Sequence, residues 1–520
     1  MARMTGAQAL WAVLAAKGVD TCFANPGTTE LDMVRGLELR SDVRCVLGLQ
    51  ENICTGGADG YGRMTGRAAA TLLHLGPGFA NGIANLHNAR RAHTPIVNVI
   101  GDHTSWHLKY DAPLTSDIES LARPVSGWVH RIADPGDVVP AACAAVAGSR
   151  ARGGQGATLI FPADFQAELQ DAPVDIAEAG EPLAEEASAS IDLAAAVSRL
   201  RAASHIVFLL GGGGEHSALG ARGQCEVARI CEALGATAYA ETFPSRSERG
   251  QGLPAFGRLP YFPEPARDVL DRADLVVLIG ASAPITYFGY AGHPSALVET
   301  ERLLVLSRPG EAVAMQLEQL ADALQAPAYR AQSVALPEVA PGPLTPASIS
   351  AALARTLPKG AIVSVEGGTC GYPFYAASAA AEAHTTLTNT GGAIGQGLPV
   401  AMGAAIACPE RTVVGLLSDG STQYTVQALW TIAHENLDVV VLIAANHQYG
   451  ILRNELRRDG KPLGARAETL TSLANPCIDW VGLARAYGVE ASRAQTGEEL
   501  VARLDHAFSR RGPFLIEMSL

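Results

Sequence analysis

The sequence lacks several features, and each absence excludes a class of protein. No stretch approaches the roughly 20 consecutive apolar residues of a membrane span, so we expect no membrane anchor. Lys and Arg number 39 against 52 Asp and Glu, and the net charge of −13 argues against nucleic acid as a partner. The nine cysteines show no CxxC spacing, which favours buried thiols in a reducing compartment over a disulfide framework or a zinc site.

A signal peptide pattern is also lacking. Residues 1–6 lead directly into an amphipathic pattern with apolar side chains at Ala9, Leu10, Val13 and Leu14, and no cleavage site precedes it. We therefore expect a cytoplasmic protein. Its hydrophobic content of 48% and charged fraction of 18% are those of an ordinary globular chain, and the length of 520 residues predicts about three domains.

Three regions alternate strand and helix patterns, and this predicts an α/β fold of three doubly wound parallel-sheet domains. An acidic, Pro- and Ala-rich run from about Asp171 to Ser190 and a Pro-rich run at Leu336–Pro343 are predicted to link them. The outer two regions are candidates for two copies of one sheet plan. The predicted domains span residues 1–170, 190–328 and 345–520, with strands near 21–24, 44–48, 69–73, 96–100, 157–161, 206–210, 275–279, 361–365, 413–417, 439–444 and 514–517.

A metal site is predicted in the last region, where two apolar strands end in polar residues. The first strand runs into Ser418-Asp419-Gly420, one helix is predicted next, and the second strand runs into Asn446. In a parallel βαβ unit both strand ends lie at one edge of the sheet, where ligands of open α/β sheets bind. A carboxylate and an amide oxygen there can hold Mg²⁺ and leave positions for phosphate oxygens. Alone, Asp419 would be interpreted as a helix cap and Asn446 as a loop residue.

Upstream, Thr390–Pro399 is a glycine-dense turn before a helix of small residues. Glycines let the backbone approach a phosphate, and a helix start offers amide donors. A tight turn that only packs a helix on a strand would have the same pattern.

Three strand ends of the first region carry further polar residues. The strands run into Thr28, Glu51 and His74, and we expect these side chains along one edge of the sheet. Taken singly, Glu51 would be a solvated helix cap and His74 an ordinary histidine at a strand end.

These residues resemble the thiamine diphosphate-dependent enzymes of the acetolactate synthase and benzoylformate decarboxylase group. The resemblance covers nearly the whole chain, in the order pyrimidine-binding domain, middle domain, diphosphate-binding domain. The central motif of the family is Gly-Asp-Gly followed by Asn-Asn, which stands here as Ser418-Asp419-Gly420 and Ala445-Asn446. The first glycine and the first asparagine are replaced, but both metal-binding side chains are present.

The resemblance implies thiamine diphosphate and Mg²⁺ as cofactors. Asp419, Asn446 and the main-chain carbonyl of Gln448 would hold the metal. Glu51 would hydrogen-bond N1′ of the aminopyrimidine, so that the amino group of that ring can act as a base. Ile394 would be the bulky residue over which the cofactor bends. The implied cofactor-binding set is Glu51, Gly392, Ile394, Asp419, Gly420, Ser421, Asn446, Tyr449 and Gly450.

In this family the cofactor lies between the pyrimidine-binding domain of one chain and the diphosphate-binding domain of another. The resemblance therefore implies a homodimer or homotetramer with its active sites at the subunit interface. Some acetolactate synthases also carry FAD against the middle domain. Gly211–Gly214 lacks GxGxxG spacing, so FAD is not predicted here.

The resemblance leaves two reactions open, because a decarboxylated 2-oxo acid is either protonated or joined to a second carbonyl compound. The segment around Thr28 resembles benzoylformate decarboxylase, with Thr28 at a substrate-contacting position and His74 at a proton-transfer position. Phe288 stands where that group has a second histidine. Leu75–Gly82 and Asp111–Leu114 resemble acetolactate synthase.

We therefore predict an acetolactate synthase-like carboligase acting on pyruvate or a related 2-oxo acid, with Glu51, His74 and Thr28 as catalytic residues. A non-ligating 2-oxo acid decarboxylase is the nearest alternative. A non-catalytic cofactor-binding homologue is the alternative of another class, and retention of Glu51 beside Asp419 and Asn446 argues against it.

Overall fold

The computed structural model describes residues 3–171, 189–458 and 460–520. Most of the predicted linker at Asp171–Ser190 lies outside these residues. The first domain contains β1 (Arg3–Thr5), α1 (Gly6–Ala16), β2 (Thr21–Asn25), α2 (Leu31–Leu37), β3 (Arg44–Leu47), α3 (Glu51–Thr65), β4 (Ala69–His74), α4 (Leu75–Ala92), β5 (Ile96–Asp102), α5 (Ile118–Ala122), β6 (Trp128–Arg131), α6 (Val138–Arg150), β7 (Gly156–Pro162), α7 (Ala163–Ala167) and β8 (Leu169–Asp171).

The first sheet has the order β3-β2-β4-β5-β7-β6, and all its strands are parallel. Helices α1 and α6 pack on one face, and α3 and α4 pack on the other. Helix α1 begins at a capping box, in which the backbone N–H of Gln8 donates to Thr5 and that of Thr5 donates to the Gln8 side chain. The sheet is thus doubly wound, as its alternating pattern predicts.

The middle domain has a smaller sheet, β12-β10-β9-β13-β14, with parallel strands. Its strand cores are short apolar runs such as Ile206–Leu210, which are buried on both faces. The elements here are α8 (Leu193–Ala202), β9 (Ile206–Leu210), α9 (Ala221–Leu234), β10 (Thr237–Ala240), β11 (Arg246–Arg249), β12 (Gly257–Arg258), α10 (Pro263–Leu270), β13 (Leu275–Ile279), β14 (Leu303–Ser307) and α11 (Ala314–Ala323).

The third domain closes the described chain with the largest sheet. Its elements are α12 (Pro346–Thr356), β15 (Ile362–Glu366), α13 (Gly368–Ala377), β16 (His384–Thr388), α14 (Gly397–Ala407), β17 (Val413–Ser418), α15 (Asp419–Thr422), α16 (Ala428–His434), β18 (Val439–Ala445), α17 (Gly450–Arg457), α18 (Ala465–Thr471), α19 (Trp480–Ala486), β19 (Glu490–Ala494), α20 (Gly497–Phe508) and β20 (Phe514–Ser519).

This sheet has the order β11-β16-β15-β17-β18-β20-β19. Strands β15–β20 are parallel, whereas β11 is contributed by the middle region and pairs antiparallel with β16. Apart from this edge strand and the small antiparallel pair β1–β8, the predicted parallel α/β fold is confirmed.

One local prediction needs correction. The single helix predicted after Asp419 is instead two short helices, α15 and α16. Between them the Thr425 hydroxyl donates to the Gly395 carbonyl at 2.8 Å, which holds the chain in a turn. Within the described residues, no helix is both long and apolar enough to cross a membrane.

The first and third domains share one apolar core, and α3 packs directly on α14. Glycines make this close packing possible, because an added Cβ at Gly60 would lie 2.2 Å from the Val400 carbonyl oxygen. A Cβ at Gly403 would lie 1.9 Å from the Gly57 carbonyl oxygen. Helix α3, which begins at Glu51, is therefore fixed against the helix that follows the glycine-dense turn.

Candidate active site

Glu51, His74 and Thr28 lie at neighbouring strand ends, as the sequence predicts. Glu51 begins α3 just after β3, Thr28 lies in a short turn after β2, and His74 ends β4. These strands are neighbours in the sheet. Thr28 is exposed, whereas Glu51 and His74 are half-buried.

The Glu51 carboxylate is held on one side by Asn81, whose Nδ2 donates to Oε2 at 3.0 Å. The other oxygen faces Gly78, where an added Cβ would lie 3.1 Å from it. Asn81 therefore fixes the direction of this carboxylate, and the missing side chain at Gly78 leaves room beside it.

His74 is oriented by a buried carboxylate that the sequence analysis missed. Its Nδ1 lies 2.8 Å from Oε2 of Glu30, which is fully buried. Glu30 also accepts hydrogen bonds from the Gly27 backbone and the Thr29 hydroxyl, at 2.7 Å each. We assign the proton to Nδ1 from this network, so Nε2 is the nitrogen available to a substrate. Only the tertiary fold brings Glu30 under His74, and no sequence pattern marks it.

Asp419 and Asn446 follow β17 and β18, which pair in parallel with Ser418 opposite Ala444. Asp419 is 1% exposed; its oxygens accept from the Gly420 backbone at 2.8 Å and the His447 backbone at 2.7 Å. The pKa of Asp419 is raised above its ordinary value, because burial disfavours the charged carboxylate and the two backbone donors offset this only in part. The Asn446 amide donates to the Thr369 hydroxyl at 3.2 Å.

The oxygen donors at this edge fit a hard cation. Asp419 supplies a carboxylate and Asn446 an amide oxygen, and in the described part of the chain no N–H donates to the Gln448 carbonyl oxygen. No three His, Cys, Asp or Glu side chains cluster as a complete metal site among those residues. Such a set is the kind that Mg²⁺ accepts when phosphate oxygens complete its coordination.

Four further predicted cofactor-binding residues, Gly420, Ser421, Tyr449 and Gly450, lie beside this pair. The Tyr449 ring packs on Gly420, where an added Cβ would lie 2.7 Å from it, and Gly450 begins α17 beside Asn446. The Ser421 hydroxyl donates to the Ser418 carbonyl at 3.1 Å. Helices α13 and α17 start here, so their N-terminal amides add a field that favours an anion.

Gly392 and Ile394 lie in the glycine-dense turn, which forms a loop between β16 and α14. Gly392 has φ +80° and Gly395 has φ +92°, conformations that favour glycine. Ile394 is half-buried. Phe288 is 62% exposed and contacts the Tyr290 ring edge-on.

The site residues therefore form two groups, and no hydrogen bond among the described residues joins Glu51 or His74 to Asp419 or Asn446. Two family models match the same two parts of the chain. Residues 4–121 match the N-terminal TPP binding domain of thiamine pyrophosphate enzymes, and residues 351–518 match their C-terminal TPP binding domain.

The chain belongs to the thiamine pyrophosphate enzyme family. A protein of Mycobacterium tuberculosis, provisionally named acetolactate synthase large subunit IlvX, is 46% identical over 99% of both chains. Benzoylformate decarboxylase of Pseudomonas aeruginosa is 30% identical over 98% of both. The solved thiamine diphosphate-dependent 4-hydroxybenzoylformate decarboxylase of Rhodococcus jostii RHA1 is 26% identical, with a TM-score of 0.84 and 99% coverage of both chains.

These similarities confirm the predicted family, the fold and the enzyme class. The protein is related both to acetolactate synthases and to 2-oxo acid decarboxylases, as a thiamine diphosphate-dependent lyase or transferase.

Proposed function

We propose that this enzyme decarboxylates a pyruvate-like 2-oxo acid and joins the product to a second carbonyl compound, with thiamine diphosphate and Mg²⁺. The 46% identity to the protein named as an acetolactate synthase large subunit, over 99% of both chains, carries this proposal. The presence of Glu51 at a strand end of the first sheet, and of Asp419 and Asn446 at strand ends of the third, also supports it.

Each residue has a proposed task. Asp419, Asn446 and the Gln448 carbonyl would hold Mg²⁺, while Gly420, Ser421 and the helix starts nearby would bind the diphosphate. When bound, thiamine diphosphate supplies the carbon nucleophile and the electron sink that decarboxylation requires.

Three residues of the first domain would act around the reacting atoms. Glu51 would hold a proton at N1′ of the aminopyrimidine. His74, oriented through Nδ1 by Glu30, would move a proton at Nε2, and the exposed Thr28 hydroxyl would contact the substrate carboxylate.

We further propose a homodimer or homotetramer in the cytoplasm, with sites between subunits. Large apolar side chains are exposed near the edge that bears His74: Trp106 at 65%, Tyr110 at 64% and Leu31 at 52%. Burial of these side chains by a second copy would stabilise the pair through the hydrophobic effect.

A decarboxylase without ligation is the second candidate. The likeness to benzoylformate decarboxylase and the solved 4-hydroxybenzoylformate decarboxylase favours it. The contact between His74 Nδ1 and the buried Glu30 carboxylate would also suit a histidine that protonates a product. Phe288 at the position of a second histidine favours ligation over protonation.

Product analysis separates the two. The protein with thiamine diphosphate and Mg²⁺ is incubated with pyruvate, 2-oxobutanoate, a branched 2-oxo acid and benzoylformate, and carbon dioxide, aldehyde and acyloin-type products are measured together. We expect ligation products to exceed aldehyde with pyruvate. Aldehyde equal to carbon dioxide with every substrate would contradict ligation, and no carbon dioxide from any would contradict the proposed activity.

A further inference from the structure

Glu366 is a buried carboxylate at the end of β15 that no cation neutralises. It is 3% exposed, and no Lys, Arg or His among the described residues forms a salt bridge with it. A buried charge of this kind is costly unless hydrogen bonds compensate it. The hydrogen-bond donors to Glu366 therefore show which segment this carboxylate holds in place.

All of its hydrogen-bond partners lie in the loop between β16 and α14 or at Gly397, the first residue of α14. Oε1 accepts from the backbone N–H of Gly395 at 2.9 Å and of Gln396 at 3.2 Å, and from the Asn389 amide at 3.1 Å. Oε2 accepts from the backbone N–H of Gly397 at 2.9 Å. One carboxylate thus fixes both ends of the loop that contains Ile394.

A second side chain holds the same loop from the first domain. Asn88 is fully buried; its amide donates to the Ala393 carbonyl at 2.8 Å and accepts from the Ala393 N–H at 3.2 Å. The residues on both sides of Ile394 are consequently anchored, Ala393 by α4 and Gly395 by Glu366. The glycines at φ +80° and +92° have no steric preference that would hold the loop without these anchors.

We propose that Glu366 is a positioning residue, which sets the backbone of the Ile394 loop so that this side chain supports bound thiamine diphosphate. The inference rests on the proposed function, because it concerns the placing of the cofactor. Because Glu366 is buried and accepts from backbone N–H groups, it would act through Gly395, Gln396 and Gly397 and not by contact with the cofactor.

The test replaces Glu366 by Gln, which keeps the shape. If the amide oxygen keeps the three donors at Oε1, the new NH₂ group faces the Gly397 N–H, and two donors oppose each other. We expect calorimetric titration of the cofactor-free protein with thiamine diphosphate and Mg²⁺ to show roughly tenfold weaker binding. At saturating cofactor, kcat should fall while KM for the 2-oxo acid changes little.

Asp438→Asn is the matched control. Asp438 is also buried and accepts from the Gly512 N–H at 3.2 Å and the Thr412 hydroxyl at 2.9 Å, but it precedes β18 at the opposite edge of the sheet. This variant should lose thermal stability and keep the cofactor affinity of the unmodified protein. If Glu366→Gln shows the same result as the control, Glu366 is only structural and the inference is wrong.

A double-mutant cycle with Ile394→Ala tests the route of action. If Glu366 works by presenting Ile394, Glu366→Gln should lower kcat much less in the Ile394→Ala background than in the unmodified protein. Additive effects would overturn the inference. Should Glu366→Gln fail to fold, Glu366→Asp, which keeps the charge but shortens its reach, carries the same expectation, and unchanged affinity there would contradict it. Absence of cofactor binding by the unmodified protein would instead refute the proposed function.

Discussion

The first and third domains have the same sheet plan but different chemistry at the same edge. Leaving aside the antiparallel edge strand β11, each sheet has six parallel strands, in which the second strand in the chain comes first, followed by the first, third, fourth, sixth and fifth. In the first domain the third strand ends at His74, whereas in the third domain it ends at Ser418, directly before Asp419. The shared strand order determines where the polar residues at the strand ends lie, and the identity of those residues determines the chemistry that each edge can support.

The two edges agree even in backbone detail. A glycine after the first strand abuts the last residue of the third strand: an added Cβ at Gly27 would lie 2.3 Å from the His74 ring, and one at Gly367 would lie 2.0 Å from Ser418 Oγ. Each edge also has a non-glycine residue at positive φ, Leu75 at 50° and His447 at 53°. Such strained residues cluster at functional sites. Under the proposed function, the first domain would serve proton transfer and the third domain would bind the cofactor.

The largest expected effect is at Glu51. Glu51→Gln retains the shape and the neighbouring Asn81, but the amide cannot hold a transferable proton, so kcat should fall by roughly 10²- to 10⁴-fold. Cofactor affinity, measured by calorimetric titration, should change much less. The exposed Glu38→Gln serves as a control in the same domain. Turnover near that of the unmodified protein would refute the role given to Glu51.

Asp419→Asn should affect cofactor affinity, which Glu51→Gln is expected to change little. Loss of the carboxylate weakens the metal site, and we expect thiamine diphosphate and Mg²⁺ affinity to fall together by roughly 10- to 100-fold. Unchanged affinity for both would contradict the metal site. Mixing this variant with Glu51→Gln subunits also tests the interface: mixed dimers would regain one intact site, and no recovery of activity would count against sites between subunits.

Substitution of Gly27 or Gly367 by Ala should have smaller effects, which differ between the two domains. Gly27→Ala should displace the His74 ring and lower kcat by about tenfold with cofactor affinity retained, because small misplacements of reacting groups are costly. Gly367→Ala, with φ +117°, should instead weaken cofactor binding by moving Ser418 beside Asp419. Gly289→Ala is the control, since its added Cβ meets no atom within 4 Å. Identical profiles for Gly27→Ala and Gly367→Ala would contradict the division of tasks.

The smallest effect concerns acid sensitivity in the third domain. His384 is buried at the start of β16, and burial lowers its pKa to about 4. Below its unfolded pKa of about 6.5 the unfolded chain binds a proton that the folded chain does not, so stability falls towards pH 4 by up to about 1.4 kcal/mol per unit.

His384→Gln should therefore flatten the decrease in melting temperature between pH 7 and pH 5, as measured by scanning calorimetry. The exposed His205→Gln in the middle domain should keep the full decrease. Equal decreases in both variants would show that His384 is not responsible.

Strands with buried apolar runs, such as β9 and β18, were predicted from the sequence, because burial on both faces demands such runs in parallel sheets. The prediction missed β6, β10, β16 and β19, which contain polar residues such as His384 and Arg493, and it missed the short strands β1, β8 and β12. It also missed β14, whose apolar residues are partly exposed, and it could not foresee that β11 joins the third sheet. Pairing between distant segments depends on tertiary contacts that no local pattern encodes.

The site residues likewise divide into those that local sequence patterns predict and those that depend on tertiary contacts. The strand ends at Glu51, His74 and Asp419 were predictable, because each parallel sheet places the carboxyl ends of its strands at one edge. The supporting residues Glu30, Asn81 and Glu366 were not, because each acts across a long separation in sequence, and a buried carboxylate looks like a surface one until the fold is known.

Helix α4 has a consequence for how this enzyme can change. It begins immediately after His74, and Asn85 and Asn88, which bond the loop at Gly395 and Ala393, lie about 16 to 21 Å further along its axis. Because a helix is stiff, a tilt of α4 would move both His74, the proposed proton-transfer residue at its start, and the loop that Asn85 and Asn88 hold near its end. Under the proposed function, substitutions that shift α4 would therefore change substrate handling and cofactor binding together, whereas substitutions on the loops around this helix could change the first alone.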